Sequence, residues 1–214
     1  MIPGRIPAPI VRRLGLVPYD ECWERMRAFT EARGPLQPDE VWLLEHPPVY
    51  TVGRNGKGVP DRADIPFVRS DRGGDITYHG PGQLVMYVLL DLRRLGIGVK
   101  DLVTLLESLV IDWLLAYGIS AQRRAGAPGV YVATGKIASL GLRIRRGCSY
   151  HGLSLNVAMD LAPFSGIRPC GLSDIAAIQV SDLVQGVTVT LAGSSLAGAL
   201  NRALWRDQSR YRAS

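Results

Sequence analysis

The chain has 214 residues, 47% of them hydrophobic and 21% charged, with a net charge of +6, which suits one domain with a core that needs neither metal nor disulfides. Three cysteines (Cys22, Cys148, Cys170) without CxxC spacing argue against a disulfide framework or a zinc knuckle and fit a reducing compartment. No apolar run approaches the ~18 residues of a membrane span, and an N-terminus with Pro3, Pro7 and Pro9 is not a signal peptide, so the sequence reads as a cytoplasmic protein with a loose extension over 1–12 and a single domain over 13–214.

Between residues 18 and 33, Cys22, Trp23, Met26 and Phe29 recur at helical spacing and Gly34-Pro35 closes the segment, which predicts a helix. Residues 41–45 read as a buried strand ahead of His46-Pro47-Pro48, and 49–52 as a second extended stretch. Residues 53–64, with Gly53, Gly56, Gly58 and Pro60, read as a loop. Short strands are expected at 67–69 and 76–78 around Gly73-Gly74, and residues 84–92 predict a strand covered on both faces. The clearest helix is 99–117: Leu102, Leu105, Leu106, Leu109, Trp113 and Leu114 make one apolar stripe, and Gly118 ends it. Strands follow at 129–133, 137–144 and 149–156, the last with Tyr150 facing opposite to His151, and a C-terminal helix is expected over 190–205. Strands in the middle and helices around them predict an α+β (mixed α/β) domain with a central mixed or antiparallel sheet.

The net positive charge favours an acidic partner. The arginines are scattered, with no basic helix, RNP-like aromatic pattern or zinc-finger spacing, so nucleic acid is not indicated. An acidic protein partner, or merely an arginine-rich background, explains the balance.

Chemistry concentrates in four segments. Residues 70–83 hold four glycines in eleven residues together with Arg72, Tyr78 and His79, a backbone that bends sharply or approaches a ligand. The segment lacks the Gly-Lys-Ser/Thr ending of a phosphate-binding loop. Only three basic residues are lysines, Lys57, Lys100 and Lys136; Lys136, bracketed by Gly135 and Gly141, is therefore a candidate for something an arginine cannot do, namely release a proton. His151 in Ser149–Asn156 reads as a core or surface histidine more readily than as a base. A metal site from His46, His79, His151 and a cysteine is open on residue types, although no pair has ligand spacing. Cys170, between Pro169 and Gly171, suits a thiol at a turn, and a nearby ammonium would favour its reactive thiolate. Cys22 reads as a buried structural thiol, and Cys148 is undecided.

Five stretches in order resemble the octanoyltransferase family of lipoate biosynthesis, related to biotin and lipoate protein ligases. They are residues 45–54 (EHPPVYTVGR), 72–83, 135–141 (GKIASLG), 151–157 (HGLSLNV) and 169–171 (PCG). The resemblance implies a ligase-like catalytic fold and transfer of an octanoyl group from octanoyl-acyl carrier protein, through an enzyme cysteine thioester, to a lysine of a lipoyl domain. The acceptors would be lipoyl domains of 2-oxoacid dehydrogenase complexes or the glycine cleavage H protein, with no cofactor, nucleic acid or membrane involved. It places Cys170 as nucleophile and Lys136 as its partner. It places Arg72, Gly73, Gly74, Asp75, Ile76, Thr77, Tyr78 and His79, then Ser139, Leu140 and Gly141, then Gly152, Leu153 and Ser154, in substrate binding. Backbone N–H groups at Cys170-Gly171 or at a turn around Gly152 would hold the oxyanion. Val180-Ser181-Asp182 stands where the family continues Val-Thr-Ser, and Met86 where a smaller residue is expected, which bears on acyl-chain length. An ATP-dependent ligase on the same fold and a non-catalytic binding protein are the alternative readings.

Overall fold

The computed structural model describes residues 7–56, 63–133, 135–167 and 175–206. The central sheet has six strands in the order β1 (Ile10–Leu16), β2 (Glu40–Glu45), β6 (Gln83–Leu89), β9 (Cys148–Asn156), β8 (Gly135–Arg145) and β7 (Gly129–Val132). Only β1 and β2 pair parallel; the remaining ladders are antiparallel. A second sheet holds β4 (Phe67–Arg69), β3 (Val49–Val52) and β5 (Ile76–His79).

The apolar runs at β2 and β6 are continuous because both faces of the sheet are covered. Val41, Leu43, Leu84, Met86 and Val88 face α3 (Val99–Leu115) and α4 (Val189–Asn201), while Trp42, Leu44, Val85, Tyr87 and Leu89 face α1 (Tyr19–Glu31). In α3 the buried stripe is Leu102, Leu106, Leu109, Val110 and Leu114; Leu105 and Trp113 pack at its margin. Gly118, at φ +76°, ends this helix as expected. A short helix α2 (Leu92–Leu95), capped by Asp91, replaces the end of the strand expected over 84–92.

Strand β1 has no counterpart among the expected elements. It begins at Ile10, so residues 10–12 of the expected loose extension are paired with β2. Its burial does not alternate, because it is an edge strand anchored by Arg12, which grips Glu40 through Nε and Nη2 at 2.5 Å each. The C-terminal helix runs regularly to Asn201 and then widens into a π turn over Arg202–Arg206, which seats both Leu204 and Trp205 in the core.

Candidate active site

A cavity of about 780 Å³ lies between the two sheets. The glycine-rich segment, β8 and β9 supply its walls, and every expected binding residue except Tyr78 lines it. Tyr78 instead packs between Tyr50 and Phe164, at 5.5 Å from each ring, and so supports Phe164, which does line the cavity.

Lys136 stands near one end. A β-bulge puts Ile137 as an extra residue between Lys136, opposite Tyr131, and Ala138, opposite Val130. Ile137 and Ala138 both turn into the core as a result. The Lys136 ammonium donates to the Pro128 carbonyl (3.1 Å) and lies 5.3 Å from the Tyr131 ring centre. Gly129, at φ +146°, makes room: a Cβ there would come 2.5 Å from Lys136 Cε. The Lys136 main chain is bonded on both sides to the segment beyond Cys170, its N–H to Ala176 O (2.8 Å) and its carbonyl to the Ile178 N–H (3.1 Å).

Cys170 itself lies outside the described residues. Ile167 before it and Ile175, Ala176 and Ala177 after it line the cavity.

The glycine-rich segment crosses β8 further along. The Gly73 N–H bonds Leu142 O (2.9 Å), and a Cβ on Gly141 would come 2.8 Å from Gly73 O, so Gly141 is required by close backbone approach. Arg72 is buried and turned to Thr51: Nε reaches Oγ1 (3.0 Å) and Nη2 reaches the carbonyl (2.6 Å). It ties the glycine-rich loop to β3 of the second sheet rather than projecting into the cavity as a free charge.

Gly152 is within strand β9, opposite both Tyr87 and Gly141, and not at a turn. The ladder places it five residues from the level of Lys136, about 16 Å along the strand. The turn expected around Gly152 is therefore replaced by a regular strand position. Met86, in contrast to Gly152, does not line the cavity. It faces α3 and α4, and its neighbours Val85 and Tyr87 form the wall. Val180–Asp182 is a short 3-10 turn whose Ser181 N–H bonds Val157 O (2.9 Å).

Tyr150 and His151 do not face opposite ways. His151 adopts φ +60°, which swings its ring onto the Tyr150 side, where the two stack at 5.0 Å. Both then meet Asp71, His151 Nε2 at 3.0 Å from Oδ1 and the Tyr150 hydroxyl on Oδ2. Tyr19, absent from the sequence-based site, lies parallel to His79 and His151, at 5.9 and 6.5 Å. Nothing in its helical spacing marked it, since it is the first residue of α1.

All three histidines are buried and depressed. Burial pushes His46 down to about 4, with the nearby His151 adding to the shift against the hydrogen bond to Val17. Burial likewise lowers His79 and His151. Burial would raise the Asp71 carboxyl, but hydrogen bonds from His151, Tyr150 and Trp23 outweigh it and hold the group well below the usual carboxylate range. Among the described residues no group of three or more His, Cys, Asp and Glu is placed to hold a metal. Cys22 is pushed up to about 12 by burial, and Cys148 is raised for the same reason, so neither is a reactive thiolate near neutrality. No helix among the described residues is long and apolar enough to cross a membrane.

Residues 18–200 match the family described as the lipoyl protein ligase A/B catalytic domain. An octanoyltransferase of Aromatoleum aromaticum is 55% identical over 204 residues, covering 94% of this chain and 88% of that protein. One from Dechloromonas aromatica is 56% identical over 190 residues, covering 88% and 93%. The fold is similar to lipoate-protein ligase A bound with ATP, with a TM-score of 0.73 at 15% identity over 92% of this chain and 86% of that one. It is also similar to biotin protein ligase from Aquifex aeolicus in complex with biotin and ATP, with a TM-score of 0.53 at 13% identity over 91% and 72%. The chain thus belongs to the octanoyltransferase family, acyltransferases built on the lipoyl protein ligase A/B catalytic domain.

Proposed function

We propose that this protein moves an octanoyl group from octanoyl-acyl carrier protein onto a lysine of lipoyl domains, through a thioester on Cys170, as the first step of endogenous lipoate assembly in the cytoplasm. The observation that carries the reading is a single cavity walled by all three expected binding stretches, with Lys136 near one end and the residues flanking Cys170 around it. Ile167, three residues before Cys170, and Ile175, five residues after it, both line the cavity.

In the first half-reaction the Cys170 thiolate attacks the donor thioester carbonyl. The C–S bond to the phosphopantetheine arm breaks, and the released sulfur takes up a proton. In the second, the acceptor lysine attacks as a neutral amine, an amide C–N bond forms, and Cys170 departs as thiolate. The Lys136 ammonium favours that thiolate by charge; as a neutral amine it takes the proton the acceptor must lose. The apolar side chains Leu140, Leu153, Leu161, Phe164, Ile167 and Ile175 line the cavity and suit an aliphatic chain. Their exclusion of water protects the thioester from hydrolysis. The chain's +6 charge favours encounter with an acidic carrier protein. The acceptors would be the lipoyl domains of 2-oxoacid dehydrogenase complexes or the glycine cleavage H protein.

The test is intact-mass and peptide mapping after incubation with octanoyl-acyl carrier protein and no acceptor. A hydroxylamine-labile octanoyl adduct on Cys170, lost in Cys170→Ala, is expected. Folded protein that stays unacylated with intact donor refutes the mechanism, and full activity of Cys170→Ser with ATP and free octanoate would identify an ATP-dependent ligase instead.

A further inference from the structure

The proposed chemistry leaves one cluster unused. Asp71 immediately precedes the cavity-lining residues Arg72 to Thr77, and its carboxylate is held from two other elements. Trp23 Nε1 of α1 donates to Oδ1 (2.8 Å), and from β9 His151 Nε2 bonds Oδ1 (3.0 Å) while the Tyr150 hydroxyl donates to Oδ2. The arrangement is costly. His151 occupies a left-handed backbone conformation that β-strand residues avoid, and its buried Nδ1 has no hydrogen-bond partner among the described residues. Such strain persists only where surrounding structure enforces it, and here it brings the His151 ring to Asp71 beside Tyr150, in the cavity wall. The neutral imidazole and ionised carboxylate agree with that geometry.

The loop that Asp71 leads into is held on both sides. Arg72 O accepts from the Arg54 N–H (3.0 Å), Gly74 O accepts from the Asn55 N–H (3.1 Å), and Gly73 is pinned to Leu142. Gly74 thereby comes over Leu140: a Cβ at Gly74 would be 4.0 Å from the Leu140 carbonyl. Leu140 is four residues from Lys136, about 13 Å along β8. An extended eight-carbon thioester spans about 10 Å from bond lengths near 1.5 Å. Measured from the level of Lys136, its tail ends about 3 Å short of Leu140, within van der Waals reach of the loop, whereas a four-carbon chain stops well short.

We propose that Asp71 is a positioning residue that holds the loop from Arg72 to Thr77 as the distal wall of the acyl slot, so that the loop discriminates acyl chains by length. The inference rests on the reading of Cys170 and Lys136 as the reactive end.

The experiment compares octanoyl- and butanoyl-acyl carrier protein as donors for wild type, Asp71→Asn and Tyr150→Phe. The second variant keeps the buried ring and loses only one hydroxyl, so it retains the fold if Asp71→Asn does not. Expected is a rise of about tenfold in KM for the octanoyl donor in Asp71→Asn, in line with loss of charged hydrogen bonds. Tyr150→Phe should show a smaller rise of the same sign. The butanoyl KM should change several-fold less, and kcat should change less than KM for both. Equal KM rises for both chain lengths, or a loss confined to kcat, overturns the distal-wall role while leaving the acyl-enzyme reading intact. Wild-type protein that takes up no acyl group on Cys170 overturns that reading, and this inference with it.

Discussion

Acidification should loosen this protein earlier than its carboxylates alone would predict. His46 is buried, donates from Nδ1 to Val17 O (2.6 Å) and accepts at Nε2 from the Tyr87 hydroxyl (2.7 Å). Its folded value of about 4 lies below the ordinary 6.5. The unfolded chain therefore binds the extra proton first, and stability present above about pH 6.5 is lost as pH falls toward about 4. At about pH 4.5 the linkage for His46 alone amounts to about 2.5 kcal/mol. His79 and His151 shift in the same direction and add to the loss. Asp71 and Glu40 are held low, so their contributions disappear only below about pH 4 and fall outside this window. The assay is urea unfolding from about pH 7.5 to about pH 4.5 for wild type and His46→Gln, with m-values compared at each pH. The variant is expected to start less stable and to lose about 2.5 kcal/mol less over the window. Identical pH slopes for the two proteins would refute the burial argument for His46.

Three other outcomes follow from local geometry. Gly129→Ala places a methyl 2.5 Å from Lys136 Cε at φ +146°; a single-turnover assay from acylated enzyme should show transfer slowed at least about tenfold, because a displacement of about 1 Å at a reacting group is costly. Gly152→Ala directs a Cβ to 2.0 Å from the Met86 carbonyl, and since backbone must move, urea titration should report a loss of about 3 kcal/mol. Thr51→Val removes the hydroxyl that accepts from Arg72 Nε (3.0 Å) and Nη2 (2.9 Å); about 1–3 kcal/mol should be lost, with a raised KM for the acyl donor measured by steady-state kinetics.

The parts of the site that were legible in the sequence are those where backbone does the work. Gly73, Gly74 and Gly141 stand out in any sequence, and they line one cavity where the loop meets β8, at Gly141 more closely than a side chain allows. Lys136 was conspicuous through scarcity, and the α3 stripe through its period. Strand β1 was hidden because an exposed edge strand has no buried face to impose alternation, and the three prolines ahead of it suggested a tail. His151 was misread for a sharper reason. Period-two alternation assumes extended backbone at every residue, and one non-glycine residue at φ +60° reverses the side on which a ring emerges. Asp71 drew no attention because its importance lies in donors 48 to 80 residues away in sequence.

The two cysteines seen in the structure have a practical consequence. Cys22, on the buried face of α1, is fully enclosed and Cys148 is 3% exposed, and both are held protonated at neutral pH. Alkylating and activity-based electrophiles need an accessible thiolate. The unmodified protein therefore shields two of its three thiols by itself, and if Cys170 is the nucleophile proposed above, stoichiometric labelling under native conditions should mark it without any cysteine having to be engineered away.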